Sequence, residues 1–241
     1  MVFRRFITSR QLNYVRTYCN KNESKSQDKV PQDAPVLTIP QNFSRLGDNG
    51  TSKTINGEVM AKDCEIFNAI GATEELLSYL GLAREHAHES EQRYTDKLKR
   101  VQTIIIDIST AISKSTTNKS VIPTVYTKEL EDWIQEYSKQ LPPPEQYIIP
   151  GGGVASASLH VARAICRKTE RVIVPLVRKG SLDKEALIYL NRLSDFLFTA
   201  SRIAAKHDQR AESIYIPKQD EKIQAHDEEI KYQNSILIEN H

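Results

Sequence analysis

From Pro150 to Arg178 the chain reads PGGGVASASLHVARAICRKTERVIVPLVR. This stretch narrows the choice of fold more than any other. Leu159, Ala162, Cys166, Thr169, Ile173 and Leu176 recur every three or four residues. That spacing predicts a long helix with one buried stripe. The Pro-Gly-Gly-Gly opening predicts a turn ahead of it. Arg163, Arg167 and Arg171 follow at steps of four and share a second face, with Glu170 beside them. Like charges at that spacing repel by roughly 0.2–0.5 kcal/mol per pair on an isolated helix. An anion relieves such a row, and the planar guanidinium suits phosphate oxygens. A solvated basic face, or pairing with carboxylates of a neighbouring chain, fits the same pattern.

Four other segments carry helical periodicity. Ile66, Ile70, Leu76, Leu80 and Ala83 mark a helix over Glu65–His88, with Glu74 and Glu75 on its polar side. Tyr94, Leu98, Val101, Ile105, Ile108 and Ile112 step by fours and threes over Glu91–Ser113, as in a bundle seam. Leu130, Trp133, Ile134 and Tyr137 mark a short helix over Thr127–Gln140, stopped by Pro142, Pro143 and Pro144. Ser181 is the expected cap of a last helix, whose stripe is Leu187, Leu190, Leu193 (or Ser194), Leu197, Ser201 and Ala204. Strand patterns are almost absent. The expected fold is all-α, a five-helix up-and-down bundle. From His207 onward the chain is charged and poorly patterned and reads as a loose tail.

Composition agrees with that fold and excludes some functions. Aromatic residues make up 7% of the chain, which suits a helical bundle better than a β-sandwich. A net charge of +2 gives no bulk electrostatic case for nucleic acid. No apolar run approaches the roughly 18 residues of a membrane span. Cys19, Cys64 and Cys166 are far apart, with neither zinc spacing nor a disulfide framework, which suits a reducing compartment. Residues 1–22 hold Arg4, Arg5, Arg10, Arg16 and Lys21 among scattered apolar residues and no acid. That is the pattern of a mitochondrial transit peptide, although a basic tail has the same composition. Residues 23–41 are polar and proline-punctuated, as in a linker. The bundle domain is expected over residues 42–216 and a flexible charged tail over 217–241.

Two further features suggest chemistry. Gly47 and Gly50 flank Asp48 and Asn49, with Ser44, Thr51, Ser52 and Thr54 nearby and Arg45 and Lys53 for charge. Backbone N–H groups in such a loop can cradle a polyphosphate, although the Walker spacing is missing and a surface turn reads the same way. Asn191 and Asp195 are neighbours at i, i+4 beside the last apolar stripe. Such a pair can bind a ribose, order an arginine, or close an internal hydrogen-bond network.

The segments NFSRLGDNG, IGATEEL, YIIPGG, LHVARAICRKTER and LNRLSDFLF occur in that order. Together they resemble the PduO-type ATP:cob(I)alamin adenosyltransferases, and the mitochondrial animal members most. The resemblance runs from about Asn42 to Ile216. It implies a five-helix-bundle subunit and a homotrimer with ATP and corrinoid at each subunit interface. The implied reaction moves the 5′-deoxyadenosyl group of ATP to reduced cobalt and releases triphosphate. The loop from Gly47 to Thr54, with Ser44 and Arg45, would wrap the triphosphate with Mg²⁺, and Lys62 would reach the phosphates. Arg167, Lys168 and Arg171 would contact nucleotide, and Glu170 would lie near the metal. Arg163 would pair across the interface with the carboxylate at Glu74. Asn191 and Asp195 would line the active site. Tyr147 would take the place of the family's usual Phe, which displaces the lower ligand of cobalamin. The implied catalytic set is Arg163, Arg167, Glu170 and Asp195.

The resemblance further implies a flavoprotein reductase as electron source and methylmalonyl-CoA mutase as recipient of the product in the mitochondrial matrix. Some positions depart from the family pattern. Leu46 replaces a hydroxyl residue, Glu74 an Asp, Lys168 an Arg, and Tyr147 a Phe. These changes allow a slower enzyme, or a catalytically weak cobalamin-binding chaperone of the same fold; a helical nucleotide-binding enzyme acting on another substrate is a separate third reading.

Overall fold

The computed structural model describes residues 45–114, 120–143 and 147–215. The expected transit segment 1–22, the linker 23–41, Ser44 and the tail 217–241 lie outside them. Among the described residues the chain forms five helices and two small antiparallel sheets. Strand β1 (Thr51–Lys53) pairs with β2 (Val59–Ala61) in a hairpin. The helices are α1 (Glu65–Glu89), α2 (Thr95–Ser113), α3 (Val125–Ser138), α4 (Val154–Arg178) and α5 (Lys184–His207). Strand β3 (Ile148–Ile149) pairs with β4 (Ser213–Ile214).

The apolar stripes place the helices. Every stripe residue named for α4 is buried, as is every seam residue named for α2. Helix α4 packs mainly on α5 and α1, while α2 lies against α1 and α3 against α5. Ion pairs Lys97–Glu136 at 2.6 Å and Arg100–Glu129 at 3.1 Å join α2 to α3 and close the ring. The order around the bundle is therefore α1, α4, α5, α3, α2. Trp133 and Tyr137 of α3 pack on Phe196 of α5, the first tilted and the second stacked, with ring centroids 5.4 and 6.4 Å away. No helix of the described residues is long and apolar enough to cross a membrane.

Three local expectations are corrected. The last helix is capped by Asp183 and not by Ser181: the Asp183 side chain accepts the Glu185 N–H at 3.2 Å. The Ser181 N–H instead donates to the Leu176 carbonyl, in the turn that ends α4. Helix α2 starts at Thr95 and not at Glu91, because Glu91 sits at φ 52° and Gln92 turns inward. The Gln92 amide donates to Asp208 at 2.9 Å and contacts His207 at 3.1 Å, so a side chain fixes the turn. The stretch after His207, read as loose, is folded as far as Tyr215. It turns back along α5 and adds β4 to β3.

Candidate functional site

Two polar residues in the buried stripe of α4 set its rotation. The Thr169 hydroxyl is fully buried and points at the Ala72 carbonyl of α1 and the Ile165 carbonyl of its own helix, both at 3.0 Å. The Cys166 thiol donates to the Leu190 carbonyl of α5 at 3.2 Å, and burial pushes its pKa up. These contacts hold α4 against both neighbours. The residues between and beyond them, Arg167, Glu170 and Arg171, are thereby turned outward.

The arginine row then divides by environment. Arg167 and Arg171 are exposed and make no hydrogen bond or ion pair among the described residues. Arg163 is half-buried, stacks its guanidinium 5.2 Å from the centre of the Phe198 ring, and leaves its Nε without a partner. Glu170 accepts a hydrogen bond from the Asn191 amide of α5 at 3.0 Å. Asp195, one turn along, accepts from Arg192 at 3.1 Å, and Arg192 also reaches Glu131 of α3 at 3.1 Å. The structure thus gathers Arg163, Arg167, Glu170 and Arg171 from α4 with Asn191 and Asp195 from α5. Two unneutralised guanidinium groups beside an ordered carboxylate can take a polyanion and a cation carried with it. Among the described residues no cluster of three or more His, Cys, Asp or Glu side chains could hold a metal by itself. Glu170 fits the single-carboxylate role that a phosphate-borne Mg²⁺ requires.

Lys168 turns the other way. Its ammonium lies 2.7 Å from Glu75 of α1, and Lys179 makes a matching pair with Glu65 at 2.6 Å. Both pairs bridge α4 to α1 at the surface. Lys168→Ala should therefore cost about 1 kcal/mol of stability or less, with activity changed by a few-fold at most. A large loss of activity in steady-state assays would instead put Lys168 on the phosphates. Glu74 is exposed on α1, and its carboxylate has no partner among the described residues.

The glycine loop is a compact unit with its own cations. Gly50 has φ 75°, and its carbonyl accepts the Lys62 N–H at 2.9 Å. A Cβ on Gly47 would lie 2.7 Å from the Lys62 Nζ, so the ammonium packs directly on the loop. Arg45 and Asp48 are exposed on it, and Thr51 is partly covered. Thr54 differs from expectation, because its hydroxyl is buried and accepts the Glu58 N–H at 3.2 Å. It closes the β1–β2 turn. The hairpin is fastened to the end of α2, where the Ile55 N–H donates to Ser113 and the Asn56 amide to the Lys114 carbonyl.

Tyr147 stands on the β3–β4 sheet, largely exposed. Tyr215 meets it edge-on with centroids 6.2 Å apart. Ile149 and Ile214 of the same sheet are exposed too. This apolar platform was half visible in the sequence, which singled out Tyr147 but not Tyr215. Phe198 and His160 were also missed. They meet edge to face at 6.2 Å, and only the crossing of α4 and α5 brings them together. Burial, and then the charge of Arg163, hold His160 below the usual imidazole range, against an upward pull from Glu212. The unfolded chain takes that proton more readily than the folded one. The stabilising contribution of neutral His160 is therefore complete above about pH 6.5 and is lost as pH falls from there through the folded pKa. Thermal unfolding below about pH 6.5 should show a steeper loss of stability for the wild type than for His160→Gln; equal slopes would refute this.

Comparisons with known proteins show the family of the chain. A family described as cobalamin adenosyltransferase matches residues 43–204. The corrinoid adenosyltransferase of Mus musculus is 35% identical over 218 residues, covering 85% of this chain and 92% of the relative. That of Homo sapiens is 39% identical over 196 residues, covering 78% of each. Among solved structures, a variant PduO-type ATP:corrinoid adenosyltransferase from Lactobacillus reuteri, complexed with cobalamin and ATP, superposes with a TM-score of 0.69 at 28% identity. It covers 73% of this chain and 99% of that one. A second variant, complexed with ATP, superposes with a TM-score of 0.68 at 29% identity, covering 72% of this chain and 99% of that one.

Proposed function

This chain belongs to the cobalamin adenosyltransferase family, and from that premise we propose how its residues do the work of a corrinoid adenosyltransferase. The enzyme transfers the 5′-deoxyadenosyl group of ATP to reduced cobalamin, giving adenosylcobalamin and triphosphate. A cobalt–carbon bond forms as the bond from the ribose 5′ carbon to the triphosphate oxygen breaks, and the bonding electrons leave with triphosphate. The reduced cobalt is already a strong nucleophile, so the protein's part is geometry and charge. Arg167 and Arg171 neutralise the leaving triphosphate. The carrying observation is that these arginines are exposed and, among the described residues, unpartnered beside a Glu170 that Asn191 holds in place. Asp195 holds Arg192 at the same edge.

The Gly47–Thr54 loop, with Arg45 and Lys62, holds the triphosphate and its Mg²⁺. In one chain the hairpin behind this loop is fastened to α2, while the arginine row lies on α4. A homotrimer supplies the second half of each site from the neighbouring chain. The carboxylate of Glu74, exposed on α1 and without a partner among the described residues, supports that arrangement, with Arg163 as its expected partner across the interface. Tyr147 and the apolar platform take the lower face of the corrin. They exclude water there and favour loss of the lower ligand, which makes the cobalt easier to reduce.

The acid-free basic pattern of residues 1–22 supports delivery to the mitochondrial matrix. There a flavoprotein reductase would provide the electron and methylmalonyl-CoA mutase would receive the product. An anaerobic absorbance time course with cob(II)alamin, reductant, ATP and Mg²⁺ tests the reading. The expected result is conversion to the adenosylcobalamin spectrum with triphosphate release. Binding of cobalamin without conversion would leave the chaperone reading, and ATP binding indifferent to cobalamin would leave the enzyme of another substrate.

A further inference from the structure

The described chain ends in a segment that covers very little of its own surface, yet one strong contact holds it. Strand β4 pairs with β3 over only two residues, Ile148 with Ile214 and Ile149 with Ser213. A ladder that short is marginal in water without added packing. The residues on β4 and just beyond it are exposed, so hydrophobic burial does not fix the segment. What fixes it is Glu212, next to β4 in the chain. Its carboxylate accepts from Arg202 Nε at 2.7 Å and from Arg202 Nη2 at 3.0 Å. Arg202 belongs to α5, and its side chain is only 6% exposed. A two-point guanidinium–carboxylate pair of this kind fixes direction as well as distance. Downstream, the Tyr215 N–H donates to the Tyr147 carbonyl at 2.9 Å, and the two rings stand edge to face.

We infer that Arg202 and Glu212 are positioning residues for the corrinoid site: their ion pair clamps β4 against α5 and so sets Tyr215 against Tyr147. The inference rests on the adenosyltransferase reading, in which Tyr147 faces the corrin. A buried arginine is an expensive means of holding an exposed strand, which is reasonable where the strand must hold an aromatic ring in one place. The clamp is also close to the arginine row. Glu212 acts electrostatically on His160, and both His160 and Arg163 lie against Phe198.

The test compares wild type, Glu212→Ala and Tyr215→Leu in the full chain. Each is mixed anaerobically with cob(II)alamin and ATP, and four-coordinate cob(II)alamin is measured by electron paramagnetic resonance. ATP affinity is measured separately by calorimetry. Both variants should lower the four-coordinate fraction and the turnover of cobalamin by about ten- to a hundredfold, the scale expected for misplacing a site by about 1 Å. ATP affinity should stay within about twofold of wild type, because the arginine row and the glycine loop are untouched. Glu212→Asp, which keeps the charge, should recover part of the signal. Tyr215→Leu keeps the ion pair and removes only a half-exposed ring, so it reports even if Glu212→Ala does not fold. A wild-type four-coordinate fraction in either variant overturns the inference, as does an equal loss of ATP and corrinoid binding, which a general folding role would give. If the wild type itself forms neither four-coordinate cobalamin nor product, the adenosyltransferase reading fails and takes this inference with it.

Discussion

Arg167→Ala should lower kcat for adenosylcobalamin formation by about 10²–10³-fold, the usual consequence of removing one well-placed donor to a developing anion. The same variant should leave thermal stability within about 0.5 kcal/mol of wild type, as expected of a surface change away from caps, cavities and buried pairs. The two results belong together. Arg167 is exposed and makes no hydrogen bond or ion pair among the described residues, so truncating it breaks nothing that holds the fold. It also relieves two like-charge neighbours, Arg163 and Arg171, each one turn away on α4. If the residue served structure, stability would fall with activity. Arg167→Lys should fall between the two, because an ammonium keeps the charge but not the planar fork that grips two phosphate oxygens. Full activity in Arg167→Ala would mean that the row is a solvated face and that triphosphate leaves elsewhere.

The largest expected loss of stability comes from a single methyl group. Gly152 has φ 83°, where an L side chain is strained by about 1–2 kcal/mol. A Cβ there would also lie 2.7 Å from the Ala205 Cβ of α5 and 3.1 Å from the Ser156 hydroxyl. The Ala205 Cβ cannot move without shifting the α5 backbone, and overpacking of that kind costs about 1–3 kcal/mol. Gly152→Ala should therefore lose about 2–5 kcal/mol in chemical denaturation. Gly151→Ala is its control. Its Cβ would meet nothing nearer than the Ile149 carbonyl at 3.9 Å, and Gly151 is not among the positive-φ residues. It should be nearly neutral. Equal losses in the two variants would show that the turn matters through general flexibility and not through the approach of α4 to α5.

The residues that gave the helices were those whose spacing leaves no choice of face. On α4, Cys166 and Thr169 fell on the apolar stripe despite their polar atoms, and both are buried. The seam of α2 was read correctly at Tyr94 even though the helix begins one residue later, because burial there follows from packing and not from helical geometry. Ser181 misled because cap preference does not distinguish it from Asp183 two residues on. The Asp183 carboxylate wins by serving two N–H groups, those of Glu185 and Ile122. The β3–β4 pair had no signal of its own, since two residues per strand give no alternation to read.

For the site, the sequence supplied the arginine row, Glu170 and Asn191, because motif spacing puts them on particular faces of helices. It could not supply their states. Lys168 is two positions from Glu170, yet the structure directs it to Glu75, while Arg167 and Arg171 have no partner among the described residues. Arg202, further along α5 from Asn191 and Asp195, is buried on Glu212, and nothing in its local spacing announces that partner.

By itself the sequence determined that the chain forms helices, which face of each is buried, and that cations line one side of α4. These follow from a period of 3.6 residues and from the cost of leaving apolar surface in water. Only the tertiary structure decided the order α1, α4, α5, α3, α2 around the bundle, the turn of α4 fixed by Thr169 on Ala72, and the return of the chain to set Tyr215 on Tyr147. Those depend on which surfaces meet across long separations in the chain, and a local pattern carries no information about its distant partner.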